Sequence, residues 1–552
     1  MWRNSWPRGV AFCLLSCAAI AQSPARPATA RFHVSGTAVD AASGQPLSGV
    51  EVTTGPAEDD DPAQDDPGQK QKTAEDGHFT FNRLKPGKYW LMAERHGYTR
   101  QNLDEHEGFS TAIAVGPNLK SDGLVFRLRP DASVSGTITD EAGEPVRDAQ
   151  VMLFHDAVED GTHSIHQRGS AGTDDLGHYH FSHVIPGRFF VAVWARPWYA
   201  QPAQGTQNVF RFGSGQNNAP APSSPEARSP LDVAYPVTFY AGATDETGAT
   251  PLELSPGDHA TADVTLTAVP SVHLVIRDAV GNPNQGVAAT FLRRVFDGPV
   301  ITMPSQTMVH GNDIEISGAP HGLAEINLQS FGKQPARWSR KVNLTGDGEI
   351  SAGQPAASQE ITGVLTLDAS TPPATAFVQL WDRNSGTSLG AQTGSNGEFH
   401  FDSEEMRPGN YEVRVFNLRA AVVRGVSAEG ARAVGRMVRI TGGGPVKLKV
   451  EATRKLCRVD GIVLRNGKPD AGAMVVLVPR NTSDSSLYRR DQSDSDGTFS
   501  LRGALPGSYS VIALSDWDTE WLNPAVLKPY LKQAKPIEVS PARRQDVEVK
   551  VQ

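Results

Sequence analysis

The chain reads as all-β: a tandem array of five small domains, each a sandwich of two layers of short strands. Three observations predict this. One pattern of turns and strands recurs five times, its strands alternate strictly between apolar and polar residues, and helical periodicity is nearly absent.

The recurring pattern is clearest around its turns. Thr73-Ala74-Glu75-Asp76-Gly77 leads into His78-Phe79-Thr80-Phe81 and then a corner at Pro86-Gly87-Lys88-Tyr89. A hundred residues on, Gly177, Tyr179, Phe181, Pro186, Gly187 and Phe189 stand at the same offsets. Later copies carry Gly397, Phe399, Phe401 with Pro408-Gly409, and Gly497, Phe499, Leu501 with Pro506-Gly507. A worn copy between them runs from Gly311 through Ile314 and Ile316 to Pro320 and Gly322. Asp-Gly and Asn-Gly pairs predict hairpin turns, because glycine accepts the positive φ such turns need. In a strand, Phe79 and Phe81 share one face while His78 and Thr80 take the other.

Each copy opens on a similar strand, with an interior glycine at 36, 136, 363 and 461 that predicts a bulge or a close backbone approach. Each closes on an alternating strand, such as Leu124 to Leu128 or Val547 to Val551. Roughly ninety residues per copy suits a seven-strand sandwich that buries its own core. The expected units are 31–130, 131–268, 269–357 (the worn copy), 358–452 and 453–552. Residues 200–230, rich in Gln, Asn, Pro, Ser and Gly, form an expected disordered insertion in the second unit. Glu58 to Asp66 is an acidic loop in the first. The one helical candidate, Trp521 to Leu531, is interrupted by Pro524 and Pro529. Linkers as short as Leu128-Arg129-Pro130-Asp131 predict limited freedom between units.

Arg3 and Arg8 precede an apolar run from Val10 to Ile20, followed by a small-x-small site ending at Ala21. This predicts a signal peptide over 1–21, a linker over 22–30, and export to the periplasm, cell surface or medium. Lipidation at Cys17 is the alternative, disfavoured by the Leu15 of its Leu14-Leu15-Ser16-Cys17 motif. Of three cysteines only Cys457 lies beyond the signal, so no disulfide forms within the remaining chain and its stability must come from core burial. A formal charge of −9 lacks the basic face that nucleic-acid binding needs. No stretch after the signal is long and apolar enough to predict a transmembrane span.

The G-T-x-x-D opening, taken with T-x-x-x-G-x-F-x-F-x-x-L-x-P-G-x-Y, resembles the carboxypeptidase regulatory-like domain. The resemblance implies an immunoglobulin-like, prealbumin-like Greek-key sandwich, grouped with carbohydrate-binding-like folds. It covers four copies well and the third weakly. Tyr235 to Thr244 resembles extensions of large exported bacterial members. The family's motifs carry no catalytic residue, since its best-known enzymes hold zinc in a separate domain.

Nothing in this chain replaces that domain. No histidine has Glu three residues later, and His-Glu-x-x-His is absent. Gly386-Thr387-Ser388-Leu389-Gly390 matches a nucleophile pattern, yet it falls between two expected strands rather than on a strand-to-helix elbow. His178 and His180 share a strand face, for which a solvated surface is the simpler reading than a metal site. Gln492 to Gly497 looks like a calcium loop but lacks the carboxylates at its first and twelfth positions, so it reads as a turn. No cofactor is expected, and no catalytic residue.

Aromatic residues outside the regular pattern remain: Trp198, Tyr199, Phe210, Phe212, Phe239, Tyr240, Trp517, Trp521 and Tyr530. Packing against their own or neighbouring sandwiches is the commoner fate of such rings. Trp198, Tyr199, Trp517 and Trp521 are the candidates for stacking on sugar. The leading expectation is therefore a non-enzymatic exported rod or arc, acting as scaffold, adhesion or interaction module. The alternatives are a polysaccharide-binding protein, and an accessory subunit of an envelope peptidase or transporter.

Overall fold

The computed structural model describes residues 31–57, 68–201, 229–279, 286–298, 300–303, 305–331, 337–352, 360–372, 375–382, 388–401, 408–441, 444–541 and 545–552. The expected signal peptide, residues 22–30, Cys17, the acidic loop, most of the 200–230 insertion (Phe210 and Phe212 with it), and Gly386-Thr387 lie outside them.

Strands pack as facing pairs of sheets. In the first pair, Phe32–Asp40 lies between His78–Leu84, antiparallel, and Leu124–Leu128, parallel. Across from it, Glu51–Pro56 lies between Gln69–Lys72 and Gly87–Glu94. The apolar faces meet: Val34, Phe79, Phe81 and Phe126 from one sheet bury against Val52, Tyr89, Leu91 and Ile113 from the other. Each of these large side chains contributes about 1.5–3 kcal/mol when fully buried.

An opening strand held between an antiparallel and a parallel neighbour recurs at Ala132–Thr139, Val272–Arg277, Ile361–Leu367 and Cys457–Arg465. The interior glycine explains how these neighbours fit. A Cβ on Gly36 would lie 2.5 Å from the Leu124 carbonyl oxygen and 2.8 Å from the Phe79 ring. At Gly136, Gly363 and Gly461 the last strand's carbonyl would stand 2.4, 2.6 and 2.2 Å away, with Tyr179, Phe399 or Phe499 over the same spot. In the worn copy this register position holds Leu274 opposite Ile316. A smaller aliphatic replaces the aromatic ring there, and a leucine takes the glycine's place.

The Asp-Gly and Asn-Gly turns differ from expectation. They are not in-sheet hairpins, because each joins strands of opposite sheets: Gln69–Lys72 pairs only with Glu51–Pro56, and His78–Leu84 with Phe32–Asp40. The opening strand holds the turn, as Ala38, Ile138, Leu365 and Val463 donate their N–H to the carbonyls of Gly77, Gly177, Gly397 and Gly497 at 2.8–2.9 Å. The helical candidate resolves into Pro524–Leu527, capped by Asn523, and a 3-10 turn at Tyr530–Gln533.

The second sheet pair keeps an inner core of its own around Val134, Tyr179, Phe181 and Phe189, but the outer face of its strands joins the core of the third. Met152, Phe154, Phe190, Val237 and Phe239 join Leu274, Phe291, Ile314 and Ile326 in one cluster. Phe296 sits among three rings, 5.2 Å from Phe154, 5.1 Å from Phe190 and 5.3 Å from Phe239. Phe239, irregular in the sequence, therefore helps to join the two pairs. At this junction Asp232 accepts hydrogen bonds from the Ser271 hydroxyl and, at 2.6 Å, faces Nε2 of His273.

Replacing Phe154 by alanine should cost about 3–5 kcal/mol. Hydrogen exchange should then quicken in 272–350 as well as in 132–194. Loosening confined to the second sheet pair would contradict the shared cluster around Phe154 and Phe296.

Candidate functional site

The long hairpin Gln150–Glu159 and Thr162–Gly172 reaches beyond its own sandwich. Its tip, Gly161, receives the Leu522 N–H at 3.0 Å and lies under the Trp521 ring. The φ of +80° and a would-be Cβ 2.5 Å from that ring leave room for glycine alone. Ile165 on the same hairpin exchanges hydrogen bonds with Asp297. One arm of the second sheet pair thus touches both the third and the fifth.

The fifth pair also packs against the first, so the chain returns on itself instead of forming the expected open rod or arc. The turn at 494–495 lies along Ile113–Val115. Asp494 accepts the Ala112 N–H at 3.0 Å, Ser495 accepts the Ala114 N–H at 2.8 Å, and the Ser495 N–H donates to Ala112 at 2.9 Å. Lys88 Nζ stands 2.5 Å from Asp494 Oδ2, with both side chains largely buried. Gln492 Nε2 donates to the Asp104 carbonyl at 2.7 Å and to Thr111 at 2.9 Å. Arg490 binds Glu107 at 2.6 Å and spreads its guanidinium over Phe109, Trp517 and Trp521, 4.5–5.4 Å from the ring centres.

Trp517 stacks on His106 with centroids 4.4 Å apart and planes within 8°, and its indole N–H donates to Gly472. Trp521 packs with Tyr488 and Leu527. These two sugar-stacking candidates are thus half-buried at the joint between sheet pairs. Burial shifts the ionisable groups here. Asp494 is pushed up to about 6, against the pull of Lys88, and Asp104 and Glu107 are also raised, while His106 is lowered. Sequence reasoning missed this joint. Its visible trace was the polar run 492–496, read as a calcium-like turn.

Trp198 is placed differently, with 85% of its surface exposed. Its ring meets Tyr199 edge-on at 5.7 Å, and the Tyr199 hydroxyl donates to Glu141. Burial and that carboxylate push the Tyr199 phenol up to about 12. The neighbouring cleft, lined by Pro197, Ala200, Tyr235 and Gln306, is about 20 Å³ and admits a single water. A sugar ring would have to stack on the outer face.

A larger hollow, about 820 Å³, opens on one sheet of the fourth pair. Its register sets His400, Thr362, Lys447 and Glu429 in one row and Glu398, Val364, Lys449 and Ser427 in the next. This face alternates charge and carries no aromatic platform.

The remaining candidates have ordinary surroundings. Ser388 accepts from Gln379 Nε2 at 2.6 Å on the strand Ser388–Gln392. His178 and His180 are exposed on His178–Val184. Among the described residues no group of three or more His, Cys, Asp or Glu is placed to hold a metal. Cys457 is buried, and burial raises its thiol pKa, as expected of a small core hydrophobe.

Residues 33–119 match the model of the carboxypeptidase regulatory-like domain. No curated protein matches the chain. Among solved structures, the minor pilin GBS52 of Streptococcus agalactiae is 15% identical, covering 43% of this chain and 96% of its own at a TM-score of 0.20. The shaft pilin SpaA of Lactobacillus rhamnosus GG is 10% identical, covering 43% and 97% at 0.18. The major pilin BcpA of Bacillus cereus is 12% identical, covering 76% and 99% at 0.13. At these scores the pilins carry no argument about function. The sandwich architecture rests on the strand register above, and the likeness to the regulatory-like domain is confined to residues 33–119. Among the described residues no helix is long and apolar enough to cross a membrane.

Lys88→Met should push Asp494 above about 6, because the lysine charge is what lowers it. Breaking the buried pair should destabilise the joint by about 3–5 kcal/mol. A carboxyl titration by NMR and a denaturation curve check both, and an unchanged Asp494 would contradict the pairing.

Proposed function

We propose that this protein is a non-catalytic exported scaffold: five β-sandwich units folded back into one body that presents surfaces to other molecules. One observation carries the reading. The side chains of the fifth pair that meet its neighbours, Gln492, Asp494, Trp517 and Trp521, engage the first pair or the long hairpin of the second. Groups spent on internal joints serve rigidity rather than chemistry. The charged hollow over Lys447 and Lys449 is a surface such a scaffold would offer to an envelope protein. Export rests on the reading of residues 1–21 as a signal, with the mature protein expected to begin at Gln22.

The second reading, polysaccharide binding, is favoured by one residue. Trp198 presents a nearly bare ring beside Tyr199, an arrangement suited to stacking against the apolar face of a sugar.

A glycan array with the exported chain separates the two. Silence across polysaccharides is expected of the scaffold. Binding that Trp198→Ala abolishes, while Trp517→Ala merely destabilises the fold, would replace it with the sugar-binding reading.

A further inference from the structure

The joint between the first and fifth sheet pairs holds acidic and basic titrating groups within one contact. Asp494 faces Lys88 and the Ala112 N–H from the first pair, with Asp491 nearby on its own segment. His106 faces Trp517 and Gln492 from the fifth pair, and Asp104 and Arg129 from its own. Glu107 faces Arg490, with Glu159 and Asp160 of the long hairpin beyond. Every one of these groups lies on a segment that the joint brings against another.

We propose that this joint is a latch with two opposed proton couplings, in which acidification favours closure through Asp494 and disfavours it through His106. The physical basis is desolvation acting on opposite charge types. Closing removes water from a carboxylate, which favours its neutral, protonated form. It removes water equally from an imidazole, whose neutral form is the deprotonated one.

Linkage sets the signs. A carboxyl whose closed-state pKa is raised binds protons more tightly in the closed state, so acidification strengthens closure and the gain is complete below the open-state value. Asp104 and Glu107 act in the same sense. An imidazole whose closed-state pKa is lowered acts oppositely, and acidification through its open-state value weakens closure. The two responses overlap between pH 7.5 and 5.5. There each group offsets part of the other's response to acid.

The backbone amides of Ala112 and Ser495 report closure directly, since each donates across the joint. Their hydrogen-exchange protection, corrected for the intrinsic rate at each pH, is measured on the whole chain at pH 7.5 and 5.5. The wild-type response should fall between those of the two variants. His106→Phe keeps a ring against Trp517 and should gain protection on acidification, by at least about fourfold from Asp494 alone. Asp494→Asn should shift the response about fourfold toward opening relative to wild type. Should Asp494→Asn leave both amides unprotected at either pH, the direction of the His106→Phe response decides. Variants that follow the wild-type pH response, or shift the opposite way, overturn the proposal.

Discussion

The structure depends on one close approach. In each sheet pair the opening strand accepts the closing strand beside it in parallel, and in four of them a glycine lets a carbonyl and an aromatic ring converge where a side chain would stand. That contact joins the beginning of a unit to its end. It also positions the aromatic strand, whose inward side chains fill the core, and the opening strand's N–H then holds the glycine turn. Core, turn and closure are therefore one arrangement, which is why their residues recur together. The worn copy supports this account, since there the glycine and the ring disappear from the same register position.

A second constraint operates between the pairs. Strands with one buried face would give independent beads, but Gln150–Glu159 and Gly187–Trp194 bury residues on both faces because the third pair covers their outer side. The hairpin built on these strands then reaches the fifth pair at Gly161. With the second and third pairs joined through Phe296 and the fifth lying on the first, the body is held at both apolar and polar joints. Loss of a polar joint strands buried charge, whereas loss of the apolar one leaves a cavity.

Much of the repeat was legible because its signals are local. Alternation at Phe79 and Phe81, the Pro-Gly corners and the opening glycines each act within a few residues. The Asp-Gly turns were legible as turns, but not as crossings between sheets, since a turn's conformation does not name the partners of the strands it joins. Trp517 and Trp198 looked alike as irregular aromatics. One stacks on His106, just over four hundred positions earlier in the chain, and the other stands in solvent. Nothing in their flanking residues encodes that difference.

By itself the sequence determined the sandwich class, the repeated core and the place of its turns, because short-range packing and backbone sterics dictate them. Tertiary structure alone decided that the third pair packs on the outer face of the second, that the last pair returns to the first, and which irregular side chains remain exposed. Those outcomes depend on which faces meet across hundreds of residues. A contact such as Lys88 with Asp494 comes into being only when the intervening units bring it together.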